Sequence, residues 1–148
     1  MKPVIMLMLL CSLSITGVHA MTQDEMEKVV IESVDVIEQK KGYVVFLYKK
    51  VRMALISDVT HDRMRIIAPV TEYSKLTLEQ VNKVMESNYH KALDARYATS
   101  DDILYSAFIH PMSPLSANEL TNALNQVATL ALTFGNSYSS GELSFAGK

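Results

Sequence analysis

Between Tyr43 and Ala68 the chain carries three β-type runs joined by short polar gaps, and this restricts the fold more than any other feature. Tyr43-Val44-Val45-Phe46-Leu47-Tyr48 is aromatic and β-branched almost throughout, as a strand covered on both faces would be. Lys49-Lys50 supplies a turn, and Val51-Arg52-Met53-Ala54-Leu55-Ile56 then alternates apolar with polar or small residues. After Ser57 to Asp62, Arg63-Met64-Arg65-Ile66-Ile67-Ala68 alternates again, and Pro69 is expected to end it. Gaps this short leave no room for crossover connections, so the three strands are expected to pair antiparallel as a meander.

Three capping boxes punctuate the rest. Thr22-Gln23-Asp24-Glu25, Thr77-Leu78-Glu79-Gln80 and Ser116-Ala117-Asn118-Glu119 each set a hydroxyl at the N-cap and Glu or Gln three residues on. Behind the first, Met26, Val29, Val30, Val34 and Ile37 fall on one helical stripe, and Lys40, Lys41 and Gly42 fit its end. The second opens a helix with Leu78, Val81, Met85, Tyr89 and Ala92 on one face, expected to be the buried one. The third opens a helix through Leu120, Ala123, Leu124, Val127, Ala128 and Ala131, closed by Gly135. Between the last two, Leu93 to Tyr97 and Ile103 to Ile109 read as a hairpin around Thr99-Ser100-Asp101, before Pro111 and Pro114 break the chain. The expected order is α-β-β-β-α-β-β-α: an α+β domain over residues 21–135 with helices packed on an antiparallel five-stranded sheet. Residues 136–148, rich in Ser and Gly, read as a flexible tail.

The first twenty residues are of another kind. Lys2 is a positive start, Val4 to Leu10 opens an apolar stretch, and Val18-His19-Ala20 places a signal-peptidase site, so residues 1–20 are expected to be a signal peptide cleaved after Ala20. The expected location is the periplasm, with no transmembrane span after cleavage. Cys11 is the chain's one cysteine and falls inside this leader, which leaves the exported part without thiol or disulfide chemistry. With 49% apolar and 20% charged residues the domain can build a core, and a net charge of −2 gives no basic excess for nucleic acid.

Nothing in the sequence has the spacing of a catalytic, cofactor or metal site. His61, His90 and His110 lie far apart, no nucleophile elbow exists, and the five glycines form no phosphate loop. The chain is therefore read as no enzyme and without a cofactor; the alternative is an enzyme or ligand-binding protein whose site is assembled from residues distant in sequence. Two surfaces carry candidate partner-binding residues. Arg52 shares a strand face with Ala54 and Ile56, and Arg63 and Arg65 share one with Ile67, so pairing would crowd three guanidinium groups beside apolar side chains. That is either a solvated face that resists aggregation or a partner surface. From Leu120 to Gly141 there is no charged residue, and Asn125 and Thr129 mark a polar but neutral side of the third helix. That side either packs within its own domain or forms an interface.

The run Asp62-Arg63-Met64-Arg65-Ile66, the stretch Ser87 to Tyr97 and the closing Ser113 to Phe134 segment resemble YbjN-type proteins, a family described as bacterial sensory transduction regulators. That family's fold is similar to type III secretion chaperones, homodimeric α+β modules that bind partner segments without catalysis. The resemblance implies a non-enzymatic module that recognises a protein or peptide partner, a homodimer, and a role in sensory or stress regulation. An export signal sets this chain apart from a cytoplasmic secretion chaperone.

Overall fold

The computed structural model describes residues 20–142. The leader falls outside them, apart from Ala20, and so do residues 143–148 of the expected tail. Within them lie α1 (Gln23–Ile31), β1 (Asp35–Lys40), β2 (Tyr43–Tyr48), β3 (Val51–Asp58), β4 (Arg63–Glu72), a 3₁₀ turn (Tyr73–Lys75), α2 (Leu78–His90), β5 (Arg96–Ser100), β6 (Ile103–His110) and α3 (Ala117–Leu132). The strands form one antiparallel sheet in the order β1-β2-β3-β4-β6-β5.

All three capping boxes form. At Ser116, for example, the side chain accepts from the Glu119 N–H at 3.2 Å while Glu119 accepts from the Ser116 N–H at 2.8 Å. These reciprocal bonds satisfy amides that the first helical turn leaves without partners, which fixes where each helix begins.

The sheet has six strands, not five, because the first helix stops early. It ends at Ile31, and the β-branched stretch around Val34, Val36 and Ile37 becomes β1, paired with β2 through Lys40↔Tyr43. Gly42 is therefore a hairpin residue at φ +80 rather than a helix stop. Its N–H donates to the buried Glu27 carboxylate at 2.7 Å, which ties α1 to the β1–β2 turn. A β-carbon there would come within 3.2 Å of Gln23 Nε2 and 3.4 Å of Ser57 O.

Two further boundaries move. The β4 strand continues through Pro69 to Glu72 with a register shift between Pro69 and Thr71. The recorded β3–β4 ladder has ended at Ala54↔Ile67, so at Pro69 no β3 partner is deprived of an amide. The last hairpin turns at Asp101-Asp102, both with positive φ, and β5 starts at Arg96 rather than Leu93.

The core lies between α1, α3 and one face of the sheet. Met53, Leu55, Met64 and Ile66 are each 1% exposed or less, as the alternation of β3 and β4 requires. They pack with Val44, Phe46, Leu104 and the apolar side of α3. The β2 strand is not covered on both faces as its composition suggested, since Tyr43 and Leu47 on its other side are exposed.

The Lys49-Lys50 turn has φ of +51 and +65, both in the left-handed region. Such a pair is the type I′ pattern that Asn-Gly adopts without steric cost. Lys49→Asn with Lys50→Gly is expected to raise stability by about 1–2 kcal/mol in urea unfolding, with an unchanged m value.

Where the sequence suggested a loose end, residues 136–141 are held in place. Tyr138 is buried, Ser87 Oγ donates to its carbonyl, and Leu93 N–H donates to Ser140 Oγ at 2.7 Å. Tyr138, Phe134 and Tyr97 form an edge-to-face cluster with centroids 5.4–6.4 Å apart. Burial pushes the Tyr97 phenol well above its ordinary pKa, and its hydroxyl donates to Leu130 O at 2.8 Å.

Candidate functional site: an uncovered sheet face

Helices α1 and α3 occupy one face of the sheet, and α2 lies along the β5 edge. There Asn88 acts like a strand partner, accepting from Tyr97 N–H at 2.7 Å and donating to Tyr97 O at 3.1 Å. The opposite sheet face has no helix over it among the described residues. Strand pairing arranges this face in rows. One row reads Glu38–Val45–Ala54–Ile67–Ala107–Arg96, and the next reads Lys40–Tyr43–Ile56–Arg65–Ile109. On this face Val45 and Ala107 are buried, while Ile109 is 61% exposed.

The structure places Arg52, Arg63 and Arg65 on this one face, all exposed. They do not form a single cluster. Arg65 pairs with Ile56 and Ile109, Arg52 with Leu47, and Arg63 with Asp58 at the far end of β3. Arg63 Nη1 is turned back to Asp62 O at 2.8 Å. Arg52 and Arg65 stand about 13 Å apart along the strands, two side-chain rows. The face is thus an apolar field with separated cations.

Asn125 and Thr129 sit on the other side of the molecule, half-buried on α3. The Asn125 amide oxygen accepts from the Tyr48 hydroxyl at 2.9 Å, so this side chain already serves a contact within the chain. The absence of charge on α3 follows largely from enclosure. Seven of its residues are buried, among them Gln126, and it touches β3, β4, β6 and α1. The α2 face expected to be buried is turned outward: Leu78, Met85 and Tyr89 are 77%, 65% and 79% exposed. Packing uses Val84 and Ser87 instead, because Ser87 and Asn88 hold α2 to the C-terminal segment and to β5.

A groove of about 400 Å³ runs between the α1–β1 connection and the end of β2, lined by Glu32, Ser33, Val34, Asp35, Leu47, Tyr48 and Lys49. Its charged side chains, Glu32, Asp35 and Lys49, are all exposed, and Tyr48 is half-buried. Among the described residues no group of three or more His, Cys, Asp or Glu side chains is placed to hold a metal ion, and no helix is long and apolar enough to cross a membrane.

Several surface carboxyls are held below their ordinary pKa by local partners. The Ser113 hydroxyl and N–H hold Asp62 down, Lys40 holds Glu38, His61 holds Asp58, and Ser116 holds Glu119. A depressed folded pKa stabilises above the unfolded value and loses that stabilisation as pH falls through the folded one. The melting temperature is therefore expected to be flat near neutrality and to fall as pH drops below about 4. Asp62→Asn is expected to flatten that acid limb while lowering the neutral plateau, because Asp62 also accepts from Met112 N–H at 3.1 Å and Ser113 N–H at 2.9 Å.

No family model and no curated protein matches the chain, so the YbjN-type resemblance stays an expectation. Solved structures do match, and they define a class: the fold is that of type III secretion chaperones. The ExsC–ExsE complex matches with TM-score 0.58 at 12% identity, covering 75% of this chain and 91% of that one. The Yersinia pestis type III secretion chaperone SycH, solved with a fragment of YscM2, matches with TM-score 0.57 at 14% identity over 76% and 98%. The HopA1–SchA chaperone–effector complex gives 0.55 at 10% identity over 76% and 88%.

Proposed function

We propose that this chain is an exported, non-enzymatic module that recognises a protein or peptide partner, in the sensory or stress regulation that the YbjN-type resemblance implies. The homodimeric habit implied by the same resemblance is part of the reading. The observation that carries it is the uncovered sheet face, where Tyr43, Leu47 and Ile109 lie exposed beside Arg52 and Arg65. Arginine next to exposed apolar surface is the composition of interface anchors. The similarity to chaperones solved in protein complexes points the same way.

The test is affinity capture from periplasmic extract with tagged wild-type protein and with Ile56→Lys. The wild type is expected to retain a defined protein, its own untagged copy included, that the variant does not. Equal retention by both would remove the sheet face as the binding surface. Export has its own check. Mass spectrometry of the natively expressed protein should give an N-terminus at Met21, whereas an intact Met1 on cytoplasmic protein would return the chain to the role of a cytoplasmic secretion chaperone.

A further inference from the structure

We infer that the uncovered sheet face receives an acidic polypeptide segment: an extended stretch with two carboxylates four residues apart, met by Arg52 and Arg65, and an apolar side chain between them. The inference rests on the protein-binding reading above and names the chemistry of the partner.

The chain has four arginines, Arg52, Arg63, Arg65 and Arg96, and strand pairing puts all four on this face. The described lysines lie on helices and turns, Lys40 alone excepted. A face that only had to stay wet would be served equally well by lysine. A planar guanidinium instead matches a carboxylate through two parallel hydrogen bonds. None of the four arginines is ion-paired among the described residues, whose salt bridges use lysines and His61. The carboxylates nearby are engaged, Glu38 by Lys40 at 2.6 Å and Asp58 by His61 at 2.7 Å. Arg63 and Arg96 each turn Nη1 onto backbone carbonyls, whereas Arg52 and Arg65 make no hydrogen bond among the described residues.

The two unengaged guanidiniums stand about 13 Å apart along the strands, the rise of four extended residues. Between them Ala54 and Ile67 lie side by side and half-buried. Accessible apolar surface flanks each cation: Leu47, 39% exposed, pairs with Arg52, and Ile109 pairs with Arg65. An extended partner has the same rise and turns alternate side chains to the face. Its residues i and i+4 then fall over the two arginines, and i+2 falls over Ala54 and Ile67. Apolar neighbours keep water from both contacts, which strengthens them. No single small anion spans this distance. A bilayer would want protruding apolar groups, and the most exposed ones, Leu78 and Tyr89, lie on α2 instead.

Titration of isotope-labelled protein with the peptide Gly-Glu-Ser-Leu-Ser-Glu-Gly, followed by amide NMR, tests this. The peptide should shift the amides of Arg52 to Ile56 and Arg65 to Ile67 and the side-chain Nε signals of both arginines. The double variant Arg52→Gln with Arg65→Gln should bind roughly ten-fold or more weakly, with the rest of its spectrum unchanged, which shows that it is folded. Raising salt from about 50 mM to about 500 mM should weaken wild-type binding several-fold. A peptide with lysine in place of both glutamates should shift nothing. Gly-Glu-Ser-Leu-Glu-Gly, whose second carboxylate faces away, should bind no better than a peptide with one glutamate.

Shifts located elsewhere, equal binding by the double variant, or indifference to the charge or spacing of the glutamates would overturn the inference. So would flotation of the wild type, but not of the double variant, with vesicles of equal phosphatidylglycerol and phosphatidylcholine, since that would give the face to an anionic membrane. Failure of the peptide removes the acidic partner alone; the protein-binding reading falls only on the capture experiment with Ile56→Lys.

Discussion

Leu55→Asp is expected to leave the chain unfolded under native conditions. Leu55 is 1% exposed, on the core face of β3, between Val44 of β2 and Ile66 of β4, both fully buried. Leu55 belongs to the apolar core cluster, so a charge there is either desolvated or neutralised at a cost of several kcal/mol. Lost apolar burial adds about 2 kcal/mol. Against a total stability of about 5–15 kcal/mol for a domain of this kind, the sum removes most or all of it. Arg65→Ser, on the opposite face and exposed, is the matched control and should change stability by roughly 0.5 kcal/mol or less. Circular dichroism and urea unfolding of the two variants decide the matter. Comparable losses at both positions would contradict the register of β3 against β4.

Gln126→Leu should cost about 2–4 kcal/mol, although leucine fits the volume of glutamine closely. The Gln126 amide oxygen accepts two backbone donors, Asp94 N–H at 2.8 Å and Ala95 N–H at 3.0 Å, and its nitrogen donates to Asp94 Oδ2 at 3.1 Å. These bonds dock the α2–β5 connection on α3. Ala95 is fully buried, so its amide has no water to turn to once the acceptor is gone. The loss should appear in thermal unfolding and, more locally, in faster hydrogen exchange at the Asp94 and Ala95 amides than in β5. Unchanged exchange at those two amides would show that the connection is held by other contacts.

Much of the fold was legible because local chemistry and burial agreed. The capping boxes at Thr22, Thr77 and Ser116 fixed three helix starts, and the alternation of β3 and β4 fixed which residues face the core. The β1 strand was not legible. Val34 and Ile37 continue the spacing of Met26 and Val30, so one stripe serves equally as helix or strand until β2 demands a partner. All six residues of β1 are exposed, so no alternation between buried and open sides marks it.

The α2 stripe failed for the opposite reason. Leu78, Met85 and Tyr89 are correctly spaced for a buried face, but Asn88 and Ser87 are the residues with partners to reach, and their hydrogen bonds set the rotation of the helix. Of the candidate site, the arginines were legible from strand parity. The row that ends in Glu38 and Arg96 was not, because it joins six strands and one of them was hidden inside a helix pattern.

The Asn88 contact with Tyr97 has a consequence for how the molecule can grow. A sheet extends indefinitely only if both of its borders accept another strand. Here the β5 border has an amide and a carbonyl already answered by a side chain, and a newcomer would have to evict α2 to align there. The β1 border pairs with no other strand among the described residues. Backbone pairing can therefore happen once, at one side, and then finds no second site to repeat itself. The protein carries a terminator against runaway polymerisation, and a single polar side chain on α2 supplies it. Asn88→Ala should thus be read not only by its melting temperature but by the appearance of thioflavin-positive aggregates on prolonged incubation.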